Sequence, residues 1–400
     1  MSSIKEEYFA CLALRHTPGI GPRTWAAILN HYHGAYEAVK DSSNWPVLNL
    51  ASEKCAENAS RELWRPKAES EYREAMREGF GILPWTHPVF PSALKEIPDP
   101  PAYLYYYGNP SLLSNPAVAV VGSRKSSRLG LDYARRISRD LSAKGITVVS
   151  GFARGIDSCV HRAALGEVGS SIAVLGTGLD IDDYPADSGD LRSEMIDSGL
   201  ILSEFPPGTR PYANNFPFRN RIISGLCVGV LVVEADIASG SLITARLAAE
   251  QGREVMAMPG PLGDKCFSGC LRLIKDGAAL VETADDVLLN IRHVFDSQGN
   301  VAVAPRAVKP SISQKSVQRQ SKNNVLSPQQ PVEVAVDISG LEPPECDIAN
   351  IIADSGRLHI DEIAFKTGVP VPVLSASLVG MEVKGIVVRF PGMYYDLKRC

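Results

Sequence analysis

Several loops in this chain combine arginine, serine and glycine directly after short apolar runs. The first is Gly122-Ser123-Arg124-Lys125-Ser126, which precedes a helical pattern. Small residues let backbone N–H groups approach an anion, the start of a helix adds a positive dipole end, and arginine can form paired hydrogen bonds with phosphate oxygens. The spacing matches neither the dinucleotide fingerprint nor the P-loop, so neither hydride transfer nor ATP hydrolysis is indicated. We therefore expect Gly122, Ser123, Arg124 and Ser126 to bind phosphate.

The same chemistry recurs after later apolar runs. If these runs are strands of one parallel sheet, all of their loops emerge along one edge. We then expect Arg124, Arg154, Arg219 and Arg221 to converge there. The further candidate residues are Ser150, Gly151 and Arg154 after the second run, Arg210, Phe216, Arg219, Asn220 and Arg221 after the fourth, and Ser239, Gly240, Ser241 and Thr244 after the fifth.

A single loop of this kind is weak evidence of function. A glycine-rich turn between a strand and a helix is more often only a turn, and a lone surface arginine is usually solvated. Repetition along one edge favours a polyanion site, because a mononucleotide would need fewer phosphate cradles. Arginines interleaved with aromatic residues suit single-stranded nucleic acid, whose backbone and splayed bases they can hold.

Few residues in the sequence match the spacing of a known catalytic or metal-binding motif. His161 follows Asp157 by four residues on a predicted helix, which could orient a base, but a packing pair that holds the second loop is favoured. Glu234, at the end of the fifth run, is the one carboxylate placed like a catalytic group. The eight cysteines form no paired CxxC sets, which indicates neither a zinc ribbon nor a disulfide framework. We expect no catalysis, no metal and no cofactor.

The elements that must position these loops lie between Ala117 and about Phe295. Short Val, Ile and Ala runs alternate there with helical segments, which is typical of a parallel sheet buried on both faces. The predicted fold class is α/β, an extended Rossmann-like doubly wound sheet with a helical domain before it and a winged helix after it.

The predicted domains follow from changes in pattern and composition. Residues 297–332 hold five Lys or Arg, no acidic residue and no aromatic residue, which indicates a flexible basic linker. The expected organisation is a helical domain resembling SAM or helix-hairpin-helix modules (1–84), a connector rich in proline and aromatics (85–116), the Rossmann-like domain (117–296), the linker (297–340) and the winged helix (341–400).

Both flanking domains leave a question open. The segment from Thr17 to Arg23 is consistent with a DNA-binding hairpin and with a plain turn between helices. In the winged helix, the expected recognition helix from Val371 to Val383 contains no Lys or Arg. Because base reading needs cationic or amide side chains, we predict that this domain docks protein.

Charge and composition narrow the function classes. The net charge of −4 excludes a uniformly basic coat for nucleic acid, but residues 118–144 carry seven basic and two acidic side chains, a local charge of +5. Residues 180–190 hold five aspartates and no base, so the domain is expected to be electrically two-sided. No apolar stretch is long enough to span a bilayer and no signal peptide is evident, so we expect the cytoplasm and no membrane partner.

Seven ordered blocks of sequence carry a resemblance to a known family, the bacterial DNA-processing protein A family (DprA, also called Smf). The blocks are AVVGSRKSSRLGLDYARRISRDL, VVSGFARGIDSCVHRAAL, IAVLGTGLD, LSEFPPGTRP, NNFPFRNRIISGL, GVLVVEADIASGSLITARLAAEQGREVMAMPG and LIKDGAALV. The flanking modules fit as well, so the resemblance extends over nearly the whole chain.

The resemblance implies a homodimer that binds single-stranded DNA without known catalysis and loads the RecA recombinase during natural transformation. By motif, Gly122, Ser123 and Arg124 match the family's phosphate-binding turn, and Phe216, Arg219 and Asn220 match a segment expected to supply base stacking and a backbone clamp. Ser150, Gly151 and Arg154, and Ser239 to Thr244, match two further loops. Leu271 departs from the asparagine that is usual there, which puts a polar contact at that position in doubt.

One alternative comes from a different class. The related Rossmann-like phosphoribohydrolases place an arginine and a glutamate beside a PGGxGT phosphate loop. The comparable region here reads EADIASGSLIT, with no PGG and no identifiable Arg-Glu pair. The favoured hypothesis is a sequence-independent binder of single-stranded DNA, and the alternative is a nucleotide hydrolase.

Overall fold

The structure is a computed structural model that describes residues 3–185, 188–298, 344–369, 371–384, 386–390 and 394–397. The described residues up to 298 belong to one compact unit, and those from 344 onward to a second. The predicted linker lies outside the described residues except for its first two positions, which end a helix.

Helices open the first unit, as the sequence predicts. They are α1 (Ile4–His16), α2 (Pro22–Tyr32), α3 (Ala35–Lys40), α4 (Glu53–Ser60) and α5 (Arg65–Glu78). The hairpin singled out in the sequence joins α1 to α2, where Gly19 has φ +93°. Whether it contacts DNA stays a prediction.

Strands and helices then alternate, and the strands form a nine-stranded sheet within the described residues. The strands are β1 (Gly81–Pro84), β2 (Tyr103–Gly108), β3 (Ala117–Gly122), β4 (Thr147–Ser150), β5 (Ser171–Val174), β6 (Leu200–Ser203), β7 (Gly229–Glu234), β8 (Glu254–Ala257) and β9 (Ala279–Leu280). The helices between and after them are α6 (Ser92–Lys95), α7 (Arg128–Ala143), α8 (Ile156–Ala164), α9 (Gly189–Ser198), α10 (Asn215–Gly225), α11 (Ser241–Glu250), α12 (Ser268–Lys275) and α13 (Ala284–Gln298).

The strand order is β1-β2-β6-β5-β4-β3-β7-β8-β9. The run from β6 to β9 is parallel throughout, whereas β2 pairs antiparallel with β6 and with β1. This confirms the predicted Rossmann-like, mainly parallel sheet. It also adds strands that the sequence analysis did not predict, since β2 comes from the segment interpreted as a connector.

Successive side chains of β3 point to opposite faces of the sheet, and both faces are covered. Val118 and Val120 face a core formed with α7, α8 and α13, whereas Ala119 and Val121 face a core shared with the amino-terminal helices, α10 and α11. All four side chains are at most 4% exposed. The continuous apolar run of β3 is therefore the signature of a strand buried on both faces.

Buried polar groups join the amino-terminal helices to the sheet. The Glu71 carboxylate on α5 accepts hydrogen bonds from the hydroxyls of Tyr103 and Tyr105, both at 2.6 Å. Arg15 on α1 donates to the Tyr103 hydroxyl at 2.8 Å and to the backbone oxygen of Glu204 at 2.7 Å. Burial alone would raise the pKa of Glu71, but hydrogen bonding from His16 and the charge of Arg15 lower it overall.

The second unit has the element order of a winged helix, as predicted. Its elements are α14 (Glu345–Ser355), β10 (Leu358–His359), α15 (Ile360–Thr367), α16 (Val371–Val383), β11 (Val387–Phe390) and β12 (Tyr394–Leu397), with β12 between β10 and β11 in the sheet. Gly368, in the turn after α15, has φ +68°, a left-handed conformation that favours glycine. Leu374, Leu378 and Met381 of α16 are fully buried in this unit's own core.

Candidate nucleic-acid interface

The candidate interface lies at the carboxyl ends of the parallel strands. β3 and β7 are neighbours, yet α7 after β3 and α11 after β7 pack on opposite faces of the sheet. A crevice therefore opens between the two loops, which is where ligands bind in sheets of this topology. The loops after β4, β5 and β6 emerge along the same edge, as expected from the sequence.

The turn from Gly122 to Ser127 is held at both ends by Glu234. The backbone N–H of Ser123 donates to the backbone oxygen of Glu234 at 2.8 Å. The backbone N–H of Ser127 donates to both carboxylate oxygens of Glu234 at 3.0 Å, and its hydroxyl donates to one of them at 2.5 Å. Glu234 is fully buried. The carboxylate that resembled a catalytic group thus positions the turn.

Between Ser123 and Ser127, the turn exposes hydrogen-bond donors and cationic side chains. The Lys125 N–H donates to the Ser123 hydroxyl at 3.1 Å, whereas no described group accepts from the backbone N–H of Arg124 or Ser126. Arg124 and Lys125 are exposed and Ser126 is half-buried. Ser127 caps α7 by accepting a hydrogen bond from Gly130 N–H at 3.0 Å. This is the arrangement of an anion cradle at a helix N-terminus.

The loop after β4 packs directly against this turn. A Cβ added to Gly155 would lie 2.5 Å from the backbone oxygen of Ser123 and 2.7 Å from that of Arg124, and Gly155 has φ +81°. Phe152 in the same loop has φ +56° and is buried. Arg154 is exposed, whereas Ser150 is buried and its hydroxyl donates to the backbone oxygen of Val120 at 2.7 Å.

His161 supports the loop after β4 from beneath. Its Nε2 accepts from the backbone N–H of Phe152 at 3.3 Å, so Nδ1 carries the proton and donates to the Ser171 hydroxyl at 2.8 Å. Ser171 in turn donates to the backbone oxygen of Val148 at 2.8 Å. Burial, followed by the charge of Arg219, lowers the pKa of His161 to about 3. The imidazole is a neutral structural group that holds the loop after β4, as the favoured sequence interpretation expects, but through Phe152 and Ser171 and not through a pair with Asp157.

Arg219 lies inside the edge. It is 4% exposed and donates to the backbone oxygens of Gly151, at 2.7 Å, and Val174. Its Nε donates to the Asn220 side chain at 3.2 Å. Burial lowers its pKa to about 10, partly opposed by Asp157, so it remains charged at neutral pH. Arg219 therefore braces the loops after β4 and β5.

Arg221 is also internal. Its guanidinium lies 2.5 Å from the Glu204 carboxylate, and both side chains are at most 6% exposed. The guanidinium also stacks on the Phe218 ring, 4.1 Å from the ring centroid. The structure thus corrects the expected convergence of four arginines. Arg124 and Arg154 are exposed on the edge, whereas Arg219 and Arg221 are buried because α10 turns them toward the protein.

Aromatic rings adjoin the exposed cation. The guanidinium carbon of Arg124 lies 5.1 Å from the centroid of the half-buried Phe216 ring. The Tyr184 ring lies beside Phe216, with centroids 5.5 Å apart and planes inclined by 36°. Gly176 makes room for this arrangement, since a Cβ there would lie 2.9 Å from the Phe216 ring. Together Arg124, Phe216 and Tyr184 form a surface that we call the stacking platform.

The remaining predicted residues lie around this platform. Arg210 is exposed and pairs with Asp183 at 3.5 Å. After β7, Gly240 is exposed and the hydroxyls of Ser239 and Ser241 lie 2.7 Å apart. Ser241 and Thr244 are 8% and 2% exposed, so the backbone of this loop is better placed than those two side chains for ligand contact. Across the described ranges, no group of three His, Cys, Asp or Glu could hold a metal ion.

Comparison with known proteins decides the family. The family model for DNA recombination-mediator protein A matches residues 81–292, from β1 into α13. The protein Smf of Escherichia coli is 38% identical over 320 residues, which cover 80% of this chain and 78% of that protein. The chain belongs to the DNA recombination-mediator protein A family.

Other members of the family match this chain in sequence and in fold, and a second family model matches its second unit. The DNA processing protein DprA of Streptococcus pneumoniae is 47% identical over 199 residues, covering 50% of this chain and 70% of that protein. The X-ray structure of DprA from the same species matches with a TM-score of 0.61 and 34% identity, covering 72% of this chain and 98% of that chain. A DprA winged-helix model matches residues 335–393. No helix among the described residues is long and apolar enough to cross a membrane.

Two residues of this family member's candidate interface escaped the sequence analysis. Tyr184 lies in the aspartate-rich segment that was interpreted as the acidic side of the domain, and only its contact with Phe216 reveals it. Ser127 was not selected either, although a serine just before a helical pattern is a typical N-cap. That cap signal could have identified Ser127, but the partnership with Glu234, 107 residues away, needed the fold.

Proposed function

We propose that the chain binds single-stranded DNA without sequence preference at the carboxyl edge of its sheet. On this proposal it acts as a recombination mediator that loads RecA onto incoming strands in natural transformation, as a homodimer and without catalysis. The cytoplasmic location expected from the sequence stays a prediction.

The observation that carries the proposal is the stacking platform beside the anion cradle. Arg124 projects from the cradle over the Phe216 ring, which contacts the Tyr184 ring in turn. Proteins that bind single strands combine backbone-tracking cations with rings on which bases stack, and stacking tolerates every base because each has a π face. A mononucleotide site would not need this combination of several cradles and an open platform.

Membership of the family supports the mediator role. The family's name describes recombination mediation, and RecA is the recombinase that the resemblance in sequence implies. Recombinase loading requires that the mediator hold DNA while leaving bases available for exchange. Backbone contacts through Arg124 and partial stacking on Phe216 are compatible with such a transient grip.

A hydrolase has less support at this site. The Glu234 carboxylate is buried and accepts hydrogen bonds from Ser127, so activating a water or sugar hydroxyl would require breaking the turn. His161 is buried and neutral, so it does not face the crevice as a base. We infer that the chain is not an enzyme. Incubation with adenosine monophosphate followed by chromatography should yield no free adenine.

Fluorescence anisotropy with labelled oligo-dT tests the binding. Affinity should fall steeply with salt because cationic contacts release counterions, with a logarithmic slope of about −0.7 per phosphate contact. Arg124→Ala should weaken binding to oligo-dT, oligo-dA and mixed sequences alike, since it contacts the backbone. Equal affinity for duplex DNA, or indifference to Arg124→Ala, would contradict the proposal.

The same titration with RecA added tests the mediator role. Pre-bound protein should accelerate RecA filament formation on DNA coated with single-strand-binding protein, and Arg124→Ala should lose this effect in parallel with DNA affinity. Normal DNA binding with no effect on RecA would leave the binding proposal intact and exclude loading.

A further inference from the structure

The geometry points to a second contact for the DNA strand, a groove between α7 and α8 that receives the backbone as it leaves the candidate interface. We call it the helical groove. It encloses about 330 Å³ and is lined by Leu131, Arg135, Ser158, Cys159, Arg162 and Ala163. This inference rests on the proposed function, because it takes single-stranded DNA as the ligand.

The helical groove is continuous with the candidate interface. α7 and α8 follow the parallel strands β3 and β4, begin at the two loops that carry Arg124 and Arg154, and pack against each other. At 1.5 Å per residue, Arg135 lies about 10 Å along α7 from Arg128. Arg162 lies about 9 Å along α8 from Ile156 by the same rule. The groove therefore begins about where a strand held by the cradle would continue.

Charge directs the strand this way. Helix α7 carries four basic side chains (Arg128, Arg135, Arg136 and Arg139) and two acidic ones (Asp132 and Asp140). Phosphates leaving the cradle are therefore attracted along α7.

The arginines of the groove can exchange their present partners for phosphate. Arg135 is 60% exposed and lies 2.9 Å from Asp132, and Arg162 is 47% exposed and lies 3.1 Å from Glu194. Exposed ion pairs of this kind contribute little to stability. A phosphate with two free oxygens can accept paired hydrogen bonds from either guanidinium, so the carboxylates are displaced at small cost.

The floor of the groove defines what it recognises. Leu131 and Ala163 are apolar, and the Cys159 thiol donates to the backbone oxygen of Leu131 at 3.4 Å. No aromatic ring lines it, in contrast to the stacking platform. The groove should therefore contact sugar and phosphate without stacking bases, adding affinity and salt dependence but no sequence preference.

Oligonucleotide length separates the groove from the platform. In the full chain, Arg135→Glu with Arg162→Glu should leave affinity for an oligo-dT of about eight nucleotides within twofold of the parent. The candidate interface alone should hold a strand of that length, because single-strand-binding sites typically span about 4 to 16 nucleotides. For an oligo-dT of about thirty nucleotides, affinity should fall about tenfold or more at low salt. The logarithmic salt slope should become shallower by about 1.4, or about 0.7 for each lost phosphate contact.

A matched control carries the same change of charge elsewhere. Arg61 and Arg246 are exposed and pair with Glu57 and Glu250 one helical turn away, as Arg135 pairs with Asp132, whereas Arg162 pairs with Glu194 of α9. Arg61→Glu with Arg246→Glu should leave binding to both lengths unchanged. The milder Arg135→Gln with Arg162→Gln variant, verified by thermal unfolding, should reproduce the length-selective loss if charge reversal disturbs the fold.

The outcomes distinguish the two proposals. Unchanged affinity of the groove variants for the long oligonucleotide, or an equal loss at both lengths, would overturn the helical groove. If Arg124→Ala abolishes binding of both lengths while the groove variants bind normally, the proposed function stands without the groove. If the parent protein binds neither oligonucleotide, the proposed function fails first.

Discussion

The buried Glu234 carboxylate accepts hydrogen bonds from both the backbone N–H and the hydroxyl of Ser127, which caps α7. An anion thus fixes the last residue of a turn that we propose to bind phosphate. The Glu234 carboxylate contacts Ser127 at one end of the turn, and the Glu234 backbone oxygen accepts from the Ser123 N–H at the other end. The arrangement leaves the middle of the turn exposed and restrains its conformation.

Glu234→Ala should therefore reduce both stability and DNA affinity. Hydrogen bonds to a charged group contribute about 1.5–3 kcal/mol, and we expect a loss of that order in the free energy of unfolding measured by chemical denaturation. Glu234→Gln, which keeps one acceptor, should lose less. The exposed Glu96 supplies the control, because Glu96→Gln should change stability by less than about 0.5 kcal/mol. Unaltered DNA affinity in a folded Glu234→Ala variant would argue against a positioning role.

Gly155→Ala should disturb the contact between the two cradle loops. The new methyl group would meet the backbone oxygens of Ser123 and Arg124, and φ +81° adds strain, for a combined cost of about 1–3 kcal/mol. Gly145 has the same φ of +81° but open space around its Cβ position. Gly145→Ala therefore measures the cost of a side chain at this φ without the loop contact, and Gly155 adds ψ −123° to that strain. DNA affinity should fall for Gly155→Ala only, and equal behaviour of the two variants would show that the loop contact is unimportant.

The stacking platform predicts a graded effect of ring removal. Phe216→Ala should weaken single-strand binding by about 1–3 kcal/mol per lost stacked base, measured by anisotropy. Tyr184→Ala should weaken it less, because Tyr184 adjoins the Phe216 ring, which is the ring in contact with Arg124. Tyr184→Phe keeps the ring and should bind within twofold of the parent. An equal loss for Tyr184→Phe and Tyr184→Ala would mean that the hydroxyl, not the ring, matters.

Stability should decrease on acidification because His161 is buried in its neutral form. Its pKa is lowered to about 3 in the folded chain, so between its ordinary value and that limit the unfolded chain binds a proton that the folded chain does not. The free energy of unfolding should fall by at most about 1.4 kcal/mol per pH unit from this group across that window. His161→Gln should be less stable at neutral pH but should show a shallower dependence on pH between about 6 and 4.5. Identical slopes would refute the assignment.

The winged helix should not read DNA bases. Its helix α16 contains no Lys or Arg, and Leu374, Leu378 and Met381 are used for the core. An isolated fragment of residues 340–400 should bind duplex DNA more weakly than micromolar at physiological salt. A fragment that binds more tightly than that would contradict protein docking as its role.

Much of the fold was predictable because its signals are local. The apolar runs of β3 to β8, the glycines after them and the helical periodicity between them specify a parallel sheet with its loops on one edge. β2 was missed because tyrosine- and proline-rich sequence around Tyr103 resembles a connector. It becomes a strand through pairing with β6, some hundred residues away in sequence, which no local pattern encodes.

The sequence by itself determined which chemistry the edge carries, since Arg124, Phe216 and the small residues around them lie in loops whose position follows from strand order. Only the tertiary structure decided which of those side chains are exposed and can contact a ligand. Arg219 and Arg221 are as cationic as Arg124, yet packing of α10 buries them against backbone oxygens and Glu204. Spacing along a chain fixes the face of a helix, whereas burial depends on what the rest of the chain places against that face.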